Sequence, residues 1–324
     1  MTKYCFVEED LANLREDDQL VVQAAYAKRL GLYYCCNLRE KTIVDCNGRK
    51  VDLCREHVVL RASCSSASIA MEILEKQGAI LLETPQEMDA IEHWDRLPLS
   101  RRKILSIQVK HLLRAAFPPE VQEFISKKEE LFIKTRRKGF SAKINAQQLF
   151  ASDAKLLDCC KKFCANQNDE IMISELYGIR SDSLGNKESR HFVVDGKIVN
   201  SSRQLKSIRH AVPQNLLTHA EEIVKSISQV QGFPKNYVID ICEFERGGRS
   251  FVDVVEMNPV TTSLCYVNNS VFFEMVPEVV SIRNKLRMGV EFCFDAITHP
   301  ERYLQKRHSG VSYAYYSETQ YDFR

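Results

Sequence analysis

Residues 237–259, YVIDICEFERGGRSFVDVVEMNP, place two strongly apolar arms on either side of Gly247-Gly248. Paired glycines between such arms favour a tight turn, so the stretch predicts an antiparallel hairpin and ties this part of the chain to a sheet. The second arm ends abruptly in Glu256, Met257, Asn258 and Pro259. Side chains two apart in a strand share a face, which puts Glu256 and Asn258 on the side of Val254. Pro259 cannot extend a central ladder, so the strand stops just beyond them, at a sheet rim that ligands reach. Counted outward from the glycines, Asp240 on the first arm comes nearly opposite Glu256. Cross-strand neighbours sit about 5 Å apart, and two carboxylates there repel by roughly 3–4 kcal/mol at an effective dielectric near 20. A positive group must offset this. A hard divalent cation suits an Asp, Glu and Asn set, and an ion-pair network with Lys or Arg is the structural alternative. Asp253 is an odd number of residues from Glu256 and faces the other side.

The rest of the chain organises around similar signals. RHFVVDGKIVNSS, residues 190–202, carries Asp195-Gly196 between apolar alternations, and LFIKTRRKGFSAKI, residues 131–144, reads as strand, basic loop, strand. The first hundred residues alternate strands near Tyr4–Val7, Leu32–Cys36, His57–Arg61 and Ala79–Leu82 with helices near Gln19–Leu30 and Ser66–Gln77. That order predicts a small, mainly parallel α/β unit. Ser65 and Ser66 are candidate caps of the second helix, and Gly78 stops it. After a boundary near Pro98, the basic stretch Arg101-Arg102-Lys103 leads into an amphipathic helix to about Ala116, closed by Pro118-Pro119. Further helices fit near Ala154–Ala165, Leu216–Val230 and Pro277–Met288, so the second part mixes antiparallel sheets with helices in an α+β arrangement.

With 324 residues and a formal charge of +2, the chain is long enough for several cores, and its charge gives no support to a general nucleic-acid-binding role. No apolar run approaches a membrane span, and Glu8, Glu9 and Asp10 make the N-terminus unlike a secretory signal, so a cytoplasmic location is expected. The twelve cysteines fall in strand-like and helix-like positions rather than a spaced framework, as small buried hydrophobes do in a reducing compartment.

The basic loop complements the acids. Lys134 leaves an apolar strand, Arg136, Arg137 and Lys138 precede Gly139, and Lys143 follows on the return strand. Magnesium usually shares its shell with substrate phosphates, and cations around a glycine let a backbone approach a phosphate chain. A solvated charge run fits the same spacing. Arg190 opens a strand with a guanidinium suited to phosphate or carboxylate, and a salt bridge to Glu188 is the alternative.

The order of these motifs resembles the ATP-grasp superfamily: Lys134 on a strand, a glycine-containing basic loop, the acidic segment ISELYG, then E-x-R-x-F-V-x-D-G-K at 188–197, V-I-D at 238–240 and V-E-M-N-P at 255–259. More narrowly it is similar to the divergent clade named for one arginine and two lysines. The resemblance covers about residues 100–295. VVLRASCSSASIAMEILEKQGAILLET, residues 58–84, is similar to the α/β domain that precedes the module in peptide-ligating members. It implies an α+β ATP-grasp fold of two lobes, residues 99–174 and 175–324, preceded by a small α/β domain over residues 1–98. Carried across by position, Lys134 and Lys143 would hold ATP phosphates and the adenine end, and Glu175, Leu176 and Tyr177 would form the adenine hinge. Arg190 would meet phosphate or an acyl phosphate, with Lys143 beside it in catalysis, and Asp240, Glu256 and Asn258 would hold one or two magnesium ions. The implied activity is ATP- and magnesium-dependent joining of a carboxylate to an amine, on a peptide or protein. The alternative is a nucleotide-gated binding or assembly factor with a protein partner and no turnover.

Overall fold

The computed structural model describes residues 3–7, 10, 33–45, 48–97, 99–136, 140–150, 158, 164, 166–183, 185–203, 212–263 and 321–322. The chain divides into two units. One comprises Met1–Ile91, Arg180–Glu243 and Val254–Ser309, the other Glu92–Ile179, Phe244–Asp253 and Gly310–Arg324.

In the first unit, strands β1 (Lys3–Val7), β2 (Tyr33–Asn37), β3 (Thr42–Asp45), β4 (His57–Arg61) and β5 (Ile80–Leu81) form one sheet in the order β3-β2-β1-β4-β5. β1 runs parallel to β2 and β4, β4 parallel to β5, and β3 returns antiparallel to β2. Helix α1 (Ala67–Lys76) makes the crossover from β4 to β5, and α2 (Pro85–Glu92) follows. Gly78, at φ +79°, ends the crossover helix in the left-handed region that glycine adopts without strain. Ser66 occupies the N-cap position, yet its hydroxyl donates to Asp10 Oδ2 at 2.5 Å and makes no cap bond. Cys5 and Cys36 are fully buried in the core with Val58, Leu60, Met71 and Leu74. β3 has no counterpart in the sequence reading, because four residues are too few to display an alternation. The helix expected at Gln19–Leu30 lies outside the described residues.

The same unit carries most of a second sheet, built on β13 (Glu188–Val194), β14 (Lys197–Arg203) and β15 (Tyr237–Arg246), all antiparallel. Asp195 and Gly196, at φ 51° and 72°, make the turn between β13 and β14 as the sequence predicts. Gly247 and Gly248, at φ 57° and 76°, do the same between β15 and β16 (Arg249–Asn258). Helix α6 (Gln214–Ile227) packs its buried residues Leu216, Ala220, Ile223 and Ile227 on β13 and β14. A small ribbon of β11 (Ser181–Asp182) and β12 (Gly185–Asn186) precedes β13. It is tied down where Arg180 and Lys187 reach Glu243 at 2.8 and 3.1 Å.

The second unit holds β6 (Ile104–Gln108), α3 (Val109–Leu113), α4 (Pro119–Ser126), β7 (Glu130–Thr135), β8 (Ser141–Asn145), α5 (Ala146–Phe150), β9 (Glu170–Glu175) and β10 (Gly178–Ile179). Its sheet runs β17-β8-β7-β9-β6, β17 being Tyr321–Asp322, and β10 pairs with the end of β15. Leu131 and Ile133 of β7, Ala142 and Ile144 of β8, and Ile171 and Ile173 of β9 fill the core under this sheet. Full burial of each Leu or Ile side chain among these contributes about 1.5–3 kcal/mol.

The stretch from after Lys103 to about Ala116, expected as a single amphipathic helix, is not one: Ile104–Gln108 is strand, paired antiparallel with β9, and only Val109–Leu113 is helical. Leu105 and Ile107 alternate with polar Ser106 and Gln108, and pairing along β9 overrides the local helical pattern. Pro119, expected to close a helix, instead opens α4, where its missing N–H costs nothing. Helices expected at Ala154–Ala165 and Pro277–Met288 fall almost wholly outside the described residues.

Candidate functional site

Within the first unit, the β13–β15 register sets Arg190 directly across from Asp240. Arg190 donates from Nε to Oδ1 at 2.7 Å and from Nη2 to Oδ2 at 2.6 Å, a two-pronged, charge-assisted pair with both side chains 2% exposed or less. Asn258, at the end of β16, donates from Nδ2 to Glu256 Oε1 at 2.9 Å and to Asp240 Oδ2 at 3.3 Å. Glu256 Oε1 stands 4.0 Å from Arg190 Nη2. The structure therefore brings Asp240, Glu256, Asn258 and Arg190 into one cluster. The guanidinium supplies the positive charge that two adjacent carboxylates require, and these four side chains together keep one net negative charge.

Two carboxylates and a side-chain amide are the hard oxygen donors that magnesium takes, and a half-turn of the Asn258 amide exchanges its Nδ2 for Oδ1. These donor types would suit such an ion, while both oxygens of Asp240 accept from Arg190. Among the described residues no group of three His, Cys, Asp or Glu side chains assembles for a metal. Asp253 lies elsewhere, in the second unit. It is fully buried and accepts from Ser100 Oγ and from the backbone N–H groups of Arg101 and Arg102 at 2.9, 2.9 and 3.1 Å.

The second unit carries the other candidates. Phe132 of β7 pairs with Lys143 of β8, and Lys134 with Ser141, so both lysines rise from the same sheet face, opposite the core. Lys143 is half-exposed and pairs with Glu130 at 2.7 Å. Arg136 is not a free phosphate ligand: its guanidinium is 7% exposed and engages Asp95, Glu170 and Ser106. Arg137, Lys138 and Gly139 lie outside the described residues.

Glu175, at the end of β9, is 8% exposed and accepts from Lys128 Nζ and from the Tyr177 hydroxyl. The Arg246 guanidinium lies 5.5 Å from the Tyr177 ring centroid and donates to its hydroxyl at 3.2 Å. Tyr177 also meets Phe251 and Phe244 edge-on, at 5.3 and 6.3 Å between centroids. A polar cavity of about 360 Å3 opens beside this segment, lined by Lys128, Glu130, Glu175, Leu176, Tyr177 and Arg246, among others. Burial, together with Arg246 and Lys127, lowers the Lys128 ammonium below its usual range. Lys128 and Arg246 are additions to the sequence reading. Each sits in a polar, turn-adjacent stretch whose sequence carries no mark of what it faces.

No family model matches the chain, and no curated protein does. Solved structures do. The D-alanine-D-alanine ligase of Helicobacter pylori aligns with 85% of this chain and 98% of its own at 11% identity and a TM-score of 0.50. The corresponding ligase of Coxiella burnetii covers 91% and 100% at 11% identity and a TM-score of 0.49. The ATP-grasp ligase PsnB, in complex with a variant of its minimal precursor, Mg and ADP, covers 85% and 98% at 16% identity and a TM-score of 0.46. The fold is α+β, and its likeness to the Helicobacter pylori ligase runs over most of the chain.

Proposed function

We propose that this chain is an ATP- and magnesium-dependent ligase that joins a carboxylate to an amine on a peptide or protein substrate in the cytoplasm. The observation that carries the assignment is the meeting of Asp240, Glu256, Asn258 and Arg190 at a strand end. The E-x-R-x-F-V-x-D-G-K and V-E-M-N-P motifs support a place in the divergent one-arginine, two-lysine clade, with domains at 1–98, 99–174 and 175–324. In this scheme Glu175, Leu176 and Tyr177 bind the adenine, and Lys134 and Lys143 neutralise phosphate oxygens. Asp240, Glu256 and Asn258 would hold magnesium, which when bound would offset the charge of the phosphates. A substrate carboxylate oxygen attacks the γ-phosphorus, the bond to the bridging oxygen breaks, and ADP departs. An amine then attacks the acyl carbon, loses a proton and releases inorganic phosphate. No covalent residue is needed; the side chains orient reactants and stabilise charge. Arg190 keeps a fixed positive charge beside the acids, and Lys143 meets the phosphate in transfer.

The purified full chain, given ATP, magnesium and pooled amino acids or peptides, is expected to release phosphate only when an acceptor is present. Nucleotide binding without turnover across broad pools would count against a ligase. A second assignment, a nucleotide-gated assembly factor, is favoured by one feature: the Arg190 fork occupies both oxygens of Asp240, as a structural ion pair does. It expects capture of a defined protein that changes with nucleotide and with Asp240→Asn. Equal capture with and without nucleotide rejects it.

A further inference from the structure

The segment just beyond Asn258 is irregular, yet its backbone is held by side chains distant in sequence. Glu83, between β5 and α2, is 1% exposed and accepts the N–H of Val260 at 2.7 Å and of Thr261 at 2.6 Å, one on each carboxylate oxygen. Arg61, the last residue of β4, is 6% exposed and donates from Nη1 to the carbonyls of Val260 and Thr261 at 3.4 and 3.2 Å. The Ala62 N–H adds a bond to Thr261 O at 3.3 Å, and Ser263 Oγ closes back on Pro259 O at 2.6 Å. Two adjacent residues are thus gripped at their N–H groups by an acid from the turn after β5 and at their carbonyls by a guanidinium from β4.

Packing alone does not call for this. An apolar residue at position 83 would fill the space but leave two buried N–H groups unpaired, so a carboxylate with two acceptors answers a backbone requirement. That backbone begins two residues after Asn258, just beyond the rigid ring of Pro259, so fixing Val260 fixes the direction in which β16 delivers Glu256 and Asn258. Residues that orient a ligand set from behind change metal affinity without touching the metal.

We propose that Arg61 and Glu83 are positioning residues whose grip on the Val260–Thr261 peptides sets the Glu256–Asn258 strand end for magnesium-dependent nucleotide binding. This rests on the magnesium–ATP assignment above. The test uses the full chain as wild type, Glu83→Ala, Glu83→Gln, Arg61→Ala and Arg61→Lys. Three quantities are measured: melting temperature, amide exchange over residues 260–263, and affinity for β,γ-imido-ATP in EDTA and in magnesium. In the alanine variants the magnesium-dependent gain in affinity is expected to fall about tenfold. Exchange at 260 and 261 should quicken and affinity in EDTA should hold, while the conservative variants Glu83→Gln and Arg61→Lys should recover part of the loss. Folded alanine variants with the full magnesium gain overturn the proposal, as do variants that lose affinity equally with and without the metal. If alanine prevents folding, Glu83→Gln, which keeps one acceptor, carries the test with an expected loss of about threefold; no loss overturns it. A wild-type chain without any magnesium gain removes the assignment and this inference together, whereas a wild-type gain unaffected in every variant removes the inference alone.

Discussion

His191 is fully buried next to Arg190 in sequence, with the Ser189 and Ser201 hydroxyls each 2.8 Å from a ring nitrogen. Burial lowers its pKa from 6.5 to about 4, while burial raises that of Glu83 from 4.5 to about 7 against its hydrogen bonds to Thr261 and Val260. Their linkages oppose each other. The histidine, depressed in the folded state, contributes stability above pH 6.5 that is lost as pH falls towards 4. The glutamate, raised in the folded state, contributes stability below pH 4.5 that is lost as pH rises through 7. Each amounts to about 3 kcal/mol at about 1.4 kcal/mol per pH unit, so the two nearly cancel between pH 4.5 and 6.5. Urea denaturation of Glu83→Gln is expected to show stability climbing with pH across that window; a flat profile would remove His191 as its source. The ion pair predicts a second asymmetry. Asp240→Ala strands a buried guanidinium and should cost about 3–5 kcal/mol, whereas Glu256→Gln, at a partly exposed side chain, should cost under about 1 kcal/mol by the same assay. Sequence spacing alone brings Glu256, Asn258 and Asp240 near each other, because they share one hairpin. The Arg190 fork was not legible, since the register between β13 and β15 depends on a pairing that no local spacing reports.

Among the elements, the hairpins were the most readable. Asp195-Gly196 and Gly247-Gly248 have positive φ at both turn positions, a backbone that few residue types accept, so composition there reports geometry. A Cβ at Gly248 would meet nothing within 4 Å, so a substitution there acts through φ alone. Gly248→Val is expected to cost about 1–2 kcal/mol, with Gly248→Asn recovering most of it, measured by urea denaturation. Equal losses for both would mean that the turn is limited by something other than φ. The strand at Ile104–Gln108 was less readable because its apolar residues also satisfy a helical stripe. What decides between them is the edge of β9, a partner far along the chain. Arg136 shows the same limit: a basic run reads as a solvated or phosphate-facing loop, yet this guanidinium is held by Asp95 and Glu170.

At the scale of the molecule, the α+β class was legible in the change from strand–helix alternation to hairpins, whereas the link from Arg61 and Glu83 to Val260 and Thr261 joins stretches no periodicity connects. Nucleotide affinity is a whole-chain property, because a ligand that binds only the folded state shifts the entire unfolding equilibrium. At a hundredfold excess over Kd the gain is about 2.7 kcal/mol, or about four degrees in Tm at about 2.1 cal/mol/K of unfolding entropy per residue. β,γ-Imido-ATP with magnesium is expected to raise Tm by that amount in the wild-type chain and by clearly less in EDTA. Glu256→Gln should shrink the magnesium-dependent part while keeping the shift seen in EDTA, since the proposed adenine residues Glu175, Leu176 and Tyr177 are unaltered. The converse variant, Tyr177→Ala, removes a ring packed against Phe251 and Arg246 and should weaken both shifts alike. A Tm indifferent to magnesium in the wild type would detach Asp240, Glu256 and Asn258 from nucleotide binding, leaving the Arg190–Asp240 pair as a purely structural bond.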